Sequence, residues 1–221
     1  MFYNLPKTAA DLPETLPIFP LTGAILLPRC KLPLNIFEPR YLNMIFDSLS
    51  SGDRMIGMIQ PRPATTTGGP TEVYSIGCAG RITAFEETSD GRVLVNLTGL
   101  CRFRVVEELS LVRGYRRIKP DWLPFATDLI QIQDATISGE EVMKVLAPFF
   151  EAHQLRAEWQ SLERIAGSDL IDVLSMNLPF PPEDKQALLE APDVHARFNI
   201  LRQIAMLYAA RDIDQATDTR H

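Results

Sequence analysis

Up to about residue 134 the apolar positions recur every second residue between frequent prolines and glycines, the pattern of half-buried strands joined by turns. Arg54 to Gln60 reads as a short apolar strand, and Pro61 to Pro70 as a mobile loop that suits neither a ladder nor a helix. Arg81 to Glu87 and Arg92 to Leu97 flank Ser89-Asp90-Gly91, and Asp-Gly supplies the positive φ angles of a tight turn, so a β-hairpin is predicted. In Arg102-Phe103-Arg104-Val105 the alternation sends Phe103 and Val105 to the core and both arginines outward; a strand from Tyr115 to Lys119 follows. One helix interrupts this region. Pro39 suits its first position, Leu42, Ile45, Phe46 and Leu49 fall on one face, and Gly52 ends it.

Beyond about residue 135 the period becomes helical. Ser138 and Glu141 form a capping-box pattern ahead of Val142, Val145, Leu146, Phe149 and Phe150, with Pro148 expected to kink the helix. Trp159, Leu162, Ile165 and Ala166 continue a helical face, and Ser168 is placed to cap a helix carrying Leu170, Val173 and Leu174. Pro182 and Pro192 are read as first residues of two further helices, each followed by acids at the positive end of the helix dipole. Val194, Phe198, Leu201, Ala205 and Tyr208 line the last. The expected organisation is therefore α+β: a β-rich domain over residues 1–134, a helical subdomain over 138–211 packed against it, and a frayed tail over 212–221.

Composition narrows the class. With 46% apolar and 23% charged residues in 221 positions, the chain holds enough material for a sizeable core. No apolar run approaches the roughly 20 residues that cross a bilayer, and no export signal is legible at the amino terminus, so a soluble cytoplasmic protein without a membrane partner is expected. Cys30, Cys78 and Cys101 are too widely spaced for a disulfide framework or a metal pair and read as small buried hydrophobes. The net charge of −6 resides entirely beyond residue 134, because residues 1–134 hold 14 basic and 14 acidic side chains. That balance argues against nucleic acid as the main partner.

Catalytic chemistry finds no candidate residues. No Gly-Lys dipeptide exists for a phosphate-cradling loop, and neither Gly-x-Ser-x-Gly nor Ser-x-x-Lys occurs. His153, His195 and His221 are too scattered for a zinc site. Paired acids such as Glu86-Glu87 and Glu107-Glu108 are read as solvated faces. No catalytic residue, metal or cofactor is assigned.

The most specific signal is an ordered run: Leu16-Pro17-Ile18-Phe19-Pro20-Leu21, a second segment ending at Pro28, then Leu34-Asn35-Ile36-Phe37-Glu38-Pro39-Arg40-Tyr41. Ile76 to Ile82, Leu97-Thr98-Gly99-Leu100-Cys101-Arg102-Phe103-Arg104-Val105 and Asn177-Leu178-Pro179 follow at compatible spacing. Together, over roughly residues 16–210, they resemble the amino-terminal substrate-recognition domain of Lon proteases. The resemblance implies a PUA-like pseudo-barrel followed by a helical bundle, and a role in binding polypeptide. The chain is expected to end where the ATPase and Ser-Lys peptidase of a Lon protease would begin, so those activities do not carry over.

The expected function is a non-catalytic module for unfolded or exposed apolar polypeptide segments, acting alone or with an ATP-dependent protease. Candidate peptide-binding or family-motif positions are Phe19, Phe37, Glu38, Arg40, Tyr41, Gly99 and Arg102. Burial is the simpler reading of Phe19, Phe37 and Phe103, a local ion pair or cap that of Glu38 and Arg40, and a bulge or turn that of Gly77, Gly80 and Gly99. One alternative is an RNA-binding PUA-like protein, resting on a basic patch of Arg102, Arg104, Arg113, Arg116, Arg117 and Lys119. Another is a small-ligand regulatory domain, for which Trp122 and Trp159 are the aromatic candidates.

Overall fold

In the computed structural model, which describes residues 6–63, 71–130, 136–154 and 165–218 (side chains through 210), the two-residue alternation becomes six strands. They are β1 (Leu16–Pro20), β2 (Lys31–Ile36), β3 (Met55–Ile59), β4 (Ile76–Glu87), β5 (Val93–Val112) and β6 (Tyr115–Asp121), with helix α1 (Pro39–Ser50) between β2 and β3. The order is β2-β5-β4-β3-β1-β6, and β6 also pairs with β5. Five strands thus run round a circuit, with β2 appended as an edge. β1 and β3 are parallel; every other pair is antiparallel. At 20 residues β5 serves three partners: Val93 to Thr98 face β2 on one side, Arg104 to Val112 face β6, and β4 lies along the other side.

The core is centred on Phe103, which is fully buried with Leu16, Ile18, Ala79, Cys101 and Ile118. Trp122 packs edge-on to its ring at 5.9 Å, and the indole Nε1 donates to the Pro13 carbonyl at 3.1 Å. Two glycines make the packing feasible. A Cβ at Gly77 would lie 2.5 Å from both the Phe103 ring and the Met58 carbonyl oxygen, and one at Gly99 would lie 2.0 Å from the Leu27 carbonyl oxygen. Close approach is therefore what these two positions require, and Gly80 and Gly99 also face each other at a register shift of the β4–β5 pair, as expected for a bulge. The Ser89-Asp90-Gly91 turn forms as the sequence predicts, with Gly91 at φ +79° and the Thr88 amide donating to the Arg92 carbonyl at 2.9 Å.

Helix α1 buries Ile45 as predicted, but its buried face is turned away from Phe46. Tyr41, Met44, Ile45 and Ser48 are buried, whereas Phe46 is 41% exposed. Both stripes have helical spacing, and the choice between them depends on how α1 lies against β1, β3 and β6. Of the loop expected over 61–70, Pro61 bridges Val73 and the Arg62 amide donates to the Glu72 carbonyl; residues 64–70 lie outside the described residues.

The chain folds as two compact units, Met1–Gln131 and Ile132–His221. The second contains α2 (Gly139–Ala152), α3 (Gly167–Asn177), α4 (Pro182–Glu190) and α5 (Val194–Asp218). Ser138 caps α2 by accepting the Glu141 amide at 3.1 Å, and α2 continues through Pro148. Ser168 does not cap α3: it lies inside a helix that begins at Gly167 and has no side-chain cap. Pro192 does not open α5 either. Asp193 precedes that helix and accepts the Ala196 amide at 2.8 Å. α5 extends to Asp218, beyond the expected end at residue 211, and the Trp159 and Leu162 positions lie outside the described residues. Leu146, Phe149, Leu170, Ile171, Leu188 and Leu201 form the interior of this unit, together with a buried Arg197–Asp172 pair at 2.7 Å.

Candidate functional site

Along β2 the alternation buries Leu34 and Ile36 and leaves Pro33 and Asn35 exposed; along β5 it buries Val93, Val95 and Leu97 and exposes Leu94 and Asn96. Register then aligns Asn35 with Leu94 and Glu86, and Pro33 with Asn96 and Ala84. These rows, with Leu34, Phe85 and Val95 of the neighbouring row, line a groove of about 410 Å³ along β2, β5 and β4. Of its apolar members, Phe85 is 47% exposed and Leu94 41%. Phe37, immediately after β2, is 61% exposed with the Arg92 guanidinium 5.8 Å from its ring centre. Asn35, Asn96 and Glu86 supply polar groups among these apolar surfaces. Among the described residues β2 pairs on one side only, and Pro33, which has no amide hydrogen to offer, suits an edge strand.

The predicted motif residues separate into distinct roles. Phe19 is buried edge-on against Tyr41 at 4.4 Å, and the Arg40 guanidinium covers the other ring at 4.6 Å. Burial raises the Tyr41 pKa above the ordinary tyrosine value. Glu38 occupies the cap position of α1 without a side-chain cap; its carboxylate accepts from Arg40 Nε at 3.0 Å, and both side chains are about half exposed. Phe37 departs from the expected core placement because the chain leaves the sheet after Ile36 and enters α1 at Pro39, so its ring stays largely exposed beside Arg92.

Arg102 also departs from expectation: it points inward. The 3-10 segment Leu123–Leu129 covers that face of β5, and Arg102 donates to Asp128 from Nε at 2.9 Å, from Nη2 at 2.9 Å and from its backbone amide at 3.0 Å. The two side chains are 4% and 9% exposed, and Phe125 lies 4.7 Å from the guanidinium. Burial favours loss of the Arg102 proton, but the hydrogen bonds and charge of Asp128 outweigh it and raise the pKa. Beside it Cys101 is pushed up to about 12 by burial, reinforced by Asp128.

The proposed basic patch is dispersed. Arg113 pairs with Asp47 and Asn43, at 2.5 and 2.7 Å, and Arg116 pairs with both oxygens of Glu108. Arg104 and Lys119 are exposed, and Arg117 lies partly buried beside α1. Phe85, Leu94 and Asn96 were missed in the sequence. The available signal was Leu94, an apolar residue in the outward register of a strand whose inward register was already filled by Val93, Val95 and Leu97.

A family model described as the ATP-dependent protease La (LON) substrate-binding domain matches residues 15–205. Lon protease 2 of Myxococcus xanthus is 27% identical over 88% of this chain and 24% of its own length, and Lon protease of Desulfosudis oleivorans is 31% identical over 91% and 25%. The chain thus spans about a quarter of the length of these curated relatives. A crystal structure of a Lon N-terminal domain protein from Xanthomonas campestris superposes with a TM-score of 0.57 at 24% identity, covering 85% of this chain and 96% of that one. The N-terminal domain of a Mycobacterium avium complex Lon protease gives 0.59 at 17% identity over 87% and 98%. With its mixed α/β architecture shared with these domains and the family pattern covering most of its length, the chain belongs to the Lon substrate-binding domain family.

Proposed function

We propose that the chain is a non-catalytic module that binds exposed apolar stretches of polypeptide in the groove on β2, β5 and β4. The carrying observation is the cluster of exposed Phe37, Phe85 and Leu94 around that groove, beside the edge of β2 that pairs with no other strand among the described residues. An extended segment placed there buries alternate apolar side chains while its backbone hydrogen-bonds along the edge. The closed circuit of five strands supports reading the first unit as a PUA-like pseudo-barrel, with the helices after it as a bundle. Similarity to Lon proteases supports work alongside an ATP-dependent protease, with this chain recognising substrate and another component supplying ATP hydrolysis and peptide cleavage.

The RNA reading is weaker because its arginines are already engaged: Arg102, Arg113 and Arg116 hold carboxylates, which leaves few cations to displace counterions from phosphates. The test is fluorescence anisotropy with labelled, reduced and carboxymethylated α-lactalbumin as an unfolded probe. Binding is expected for the native sequence and should fall roughly tenfold in Phe85→Ser/Leu94→Asn, as expected for loss of two central apolar contacts. Equal binding by both proteins refutes the groove, and no binding by either refutes the module.

A further inference from the structure

A second cleft, of about 420 Å³, lies between the start of β1, the carboxy-terminal end of α1 and the start of β6. It is independent of the apolar groove, and its chemistry differs. Ser48 lines it and is 3% exposed, yet its hydroxyl has no hydrogen-bond partner among the described residues. Arg117 lines it too, with a buried Nε–H that likewise has no partner. An unpaired buried donor costs about as much as the desolvation of that group, so two around one cleft mark a place built for a polar occupant.

The surroundings define the charge of that occupant. Among the described residues, Glu14, Asp47 and Asp53 line the cleft against one cation, Arg117. Asp47 is held by Arg113 and by the Tyr115 hydroxyl, at 2.5 and 3.0 Å, which leaves Asp53 and Glu14 as the exposed carboxylates of the rim. The last carbonyls of α1, up to Ser50, add the negative end of a helix dipole. This field repels an anion, whereas Arg117 Nε–H still requires an acceptor. One group satisfies both demands: a neutral carbonyl carried on a cationic chain.

We propose that this cleft binds a lysine- or arginine-bearing segment of extended polypeptide. Main-chain carbonyls of the segment accept from Arg117 Nε and from the Ser48 hydroxyl, and the cationic side chain lies between Asp53 and Glu14. The cleft thereby adds a preference for basic residues that an apolar groove alone cannot provide.

The probe is a fluorescein-labelled Gly/Ser peptide carrying three lysines, compared by anisotropy with the same peptide carrying three glutamines or three glutamates. It has no apolar side chain, so failure of the apolar groove leaves this experiment unaffected. The lysine peptide is expected to bind roughly tenfold more tightly than the glutamine peptide at low salt, with the difference shrinking at high salt. Glu14→Gln/Asp53→Asn changes only exposed side chains and should abolish that preference while leaving circular dichroism unchanged. Arg117→Lys keeps the charge but removes the planar Nε–H, and should weaken the lysine and glutamine peptides alike by roughly tenfold. Equal binding of the lysine and glutamine peptides, tighter binding of the glutamate peptide, or a lysine preference that survives Glu14→Gln/Asp53→Asn overturns the proposal.

Discussion

Replacing Asp128 by alanine removes a carboxylate that grips the buried Arg102 guanidinium between β5 and the Phe125 ring. Three hydrogen bonds are lost at once, two from the guanidinium and one from the Arg102 amide. With side-chain exposures of 4% and 9%, solvent offers little compensation, so a cost of about 3–5 kcal/mol is expected. The pair itself contributes far less net stability, because both ions were desolvated to make it. Arg102→Met/Asp128→Leu should therefore recover to within about 1 kcal/mol of the native protein. The assay is urea unfolding in a Trp159→Phe background, which leaves Trp122, packed on Phe103, as the sole indole reporter of the first unit. At a slope of about 2 kcal/mol per molar urea, the Asp128→Ala midpoint falls by roughly 1.5–2.5 M. A fall below about 0.5 M, or a double variant no more stable than Asp128→Ala, refutes the reasoning.

Gly99→Ala should be among the most destabilising small substitutions, by about 1–3 kcal/mol or more in the same urea assay, because its Cβ meets the Leu27 backbone at 2.0 Å and backbone yields poorly. In native protein at pH 8 a thiol reagent should modify Cys30 alone, with buried Cys78 and Cys101 reacting only on unfolding. Because the folded Cys101 pKa lies above its ordinary 9.0, its contribution to stability is complete below pH 9 and is lost as pH rises toward about 12; Cys101→Ala should flatten that alkaline decline. Asp193→Ala should cost about 1 kcal/mol through loss of the α5 cap, while Ser168→Ala, which removes no cap bond, should change stability little, both read by thermal unfolding.

Where a feature depended on residues close in sequence, it was legible in the sequence alone. Asp90-Gly91 fixed the hairpin because only a few residue types accept its φ angles, and Ser138 announced α2 because a cap acts within three residues. The ordered segments from Leu16 to Pro179, taken together, were enough to indicate the Lon substrate-binding family. What failed depended on distant partners. Arg102 was placed outward because alternation assumes one solvent-facing side, whereas the segment around Asp128, 26 residues away, covers both. Phe46, expected on the buried face, is exposed while Ser48 is buried, because helical periodicity offers two overlapping stripes and only the packing of α1 on β1, β3 and β6 selects one. The two clefts belong to this second class. Cross-strand register brings Leu94 to Asn35 and Glu86, and the approach of α1 to β6 brings Ser48 to Arg117, because side-chain proximity across a sheet or between elements is set by tertiary packing rather than by spacing along the chain.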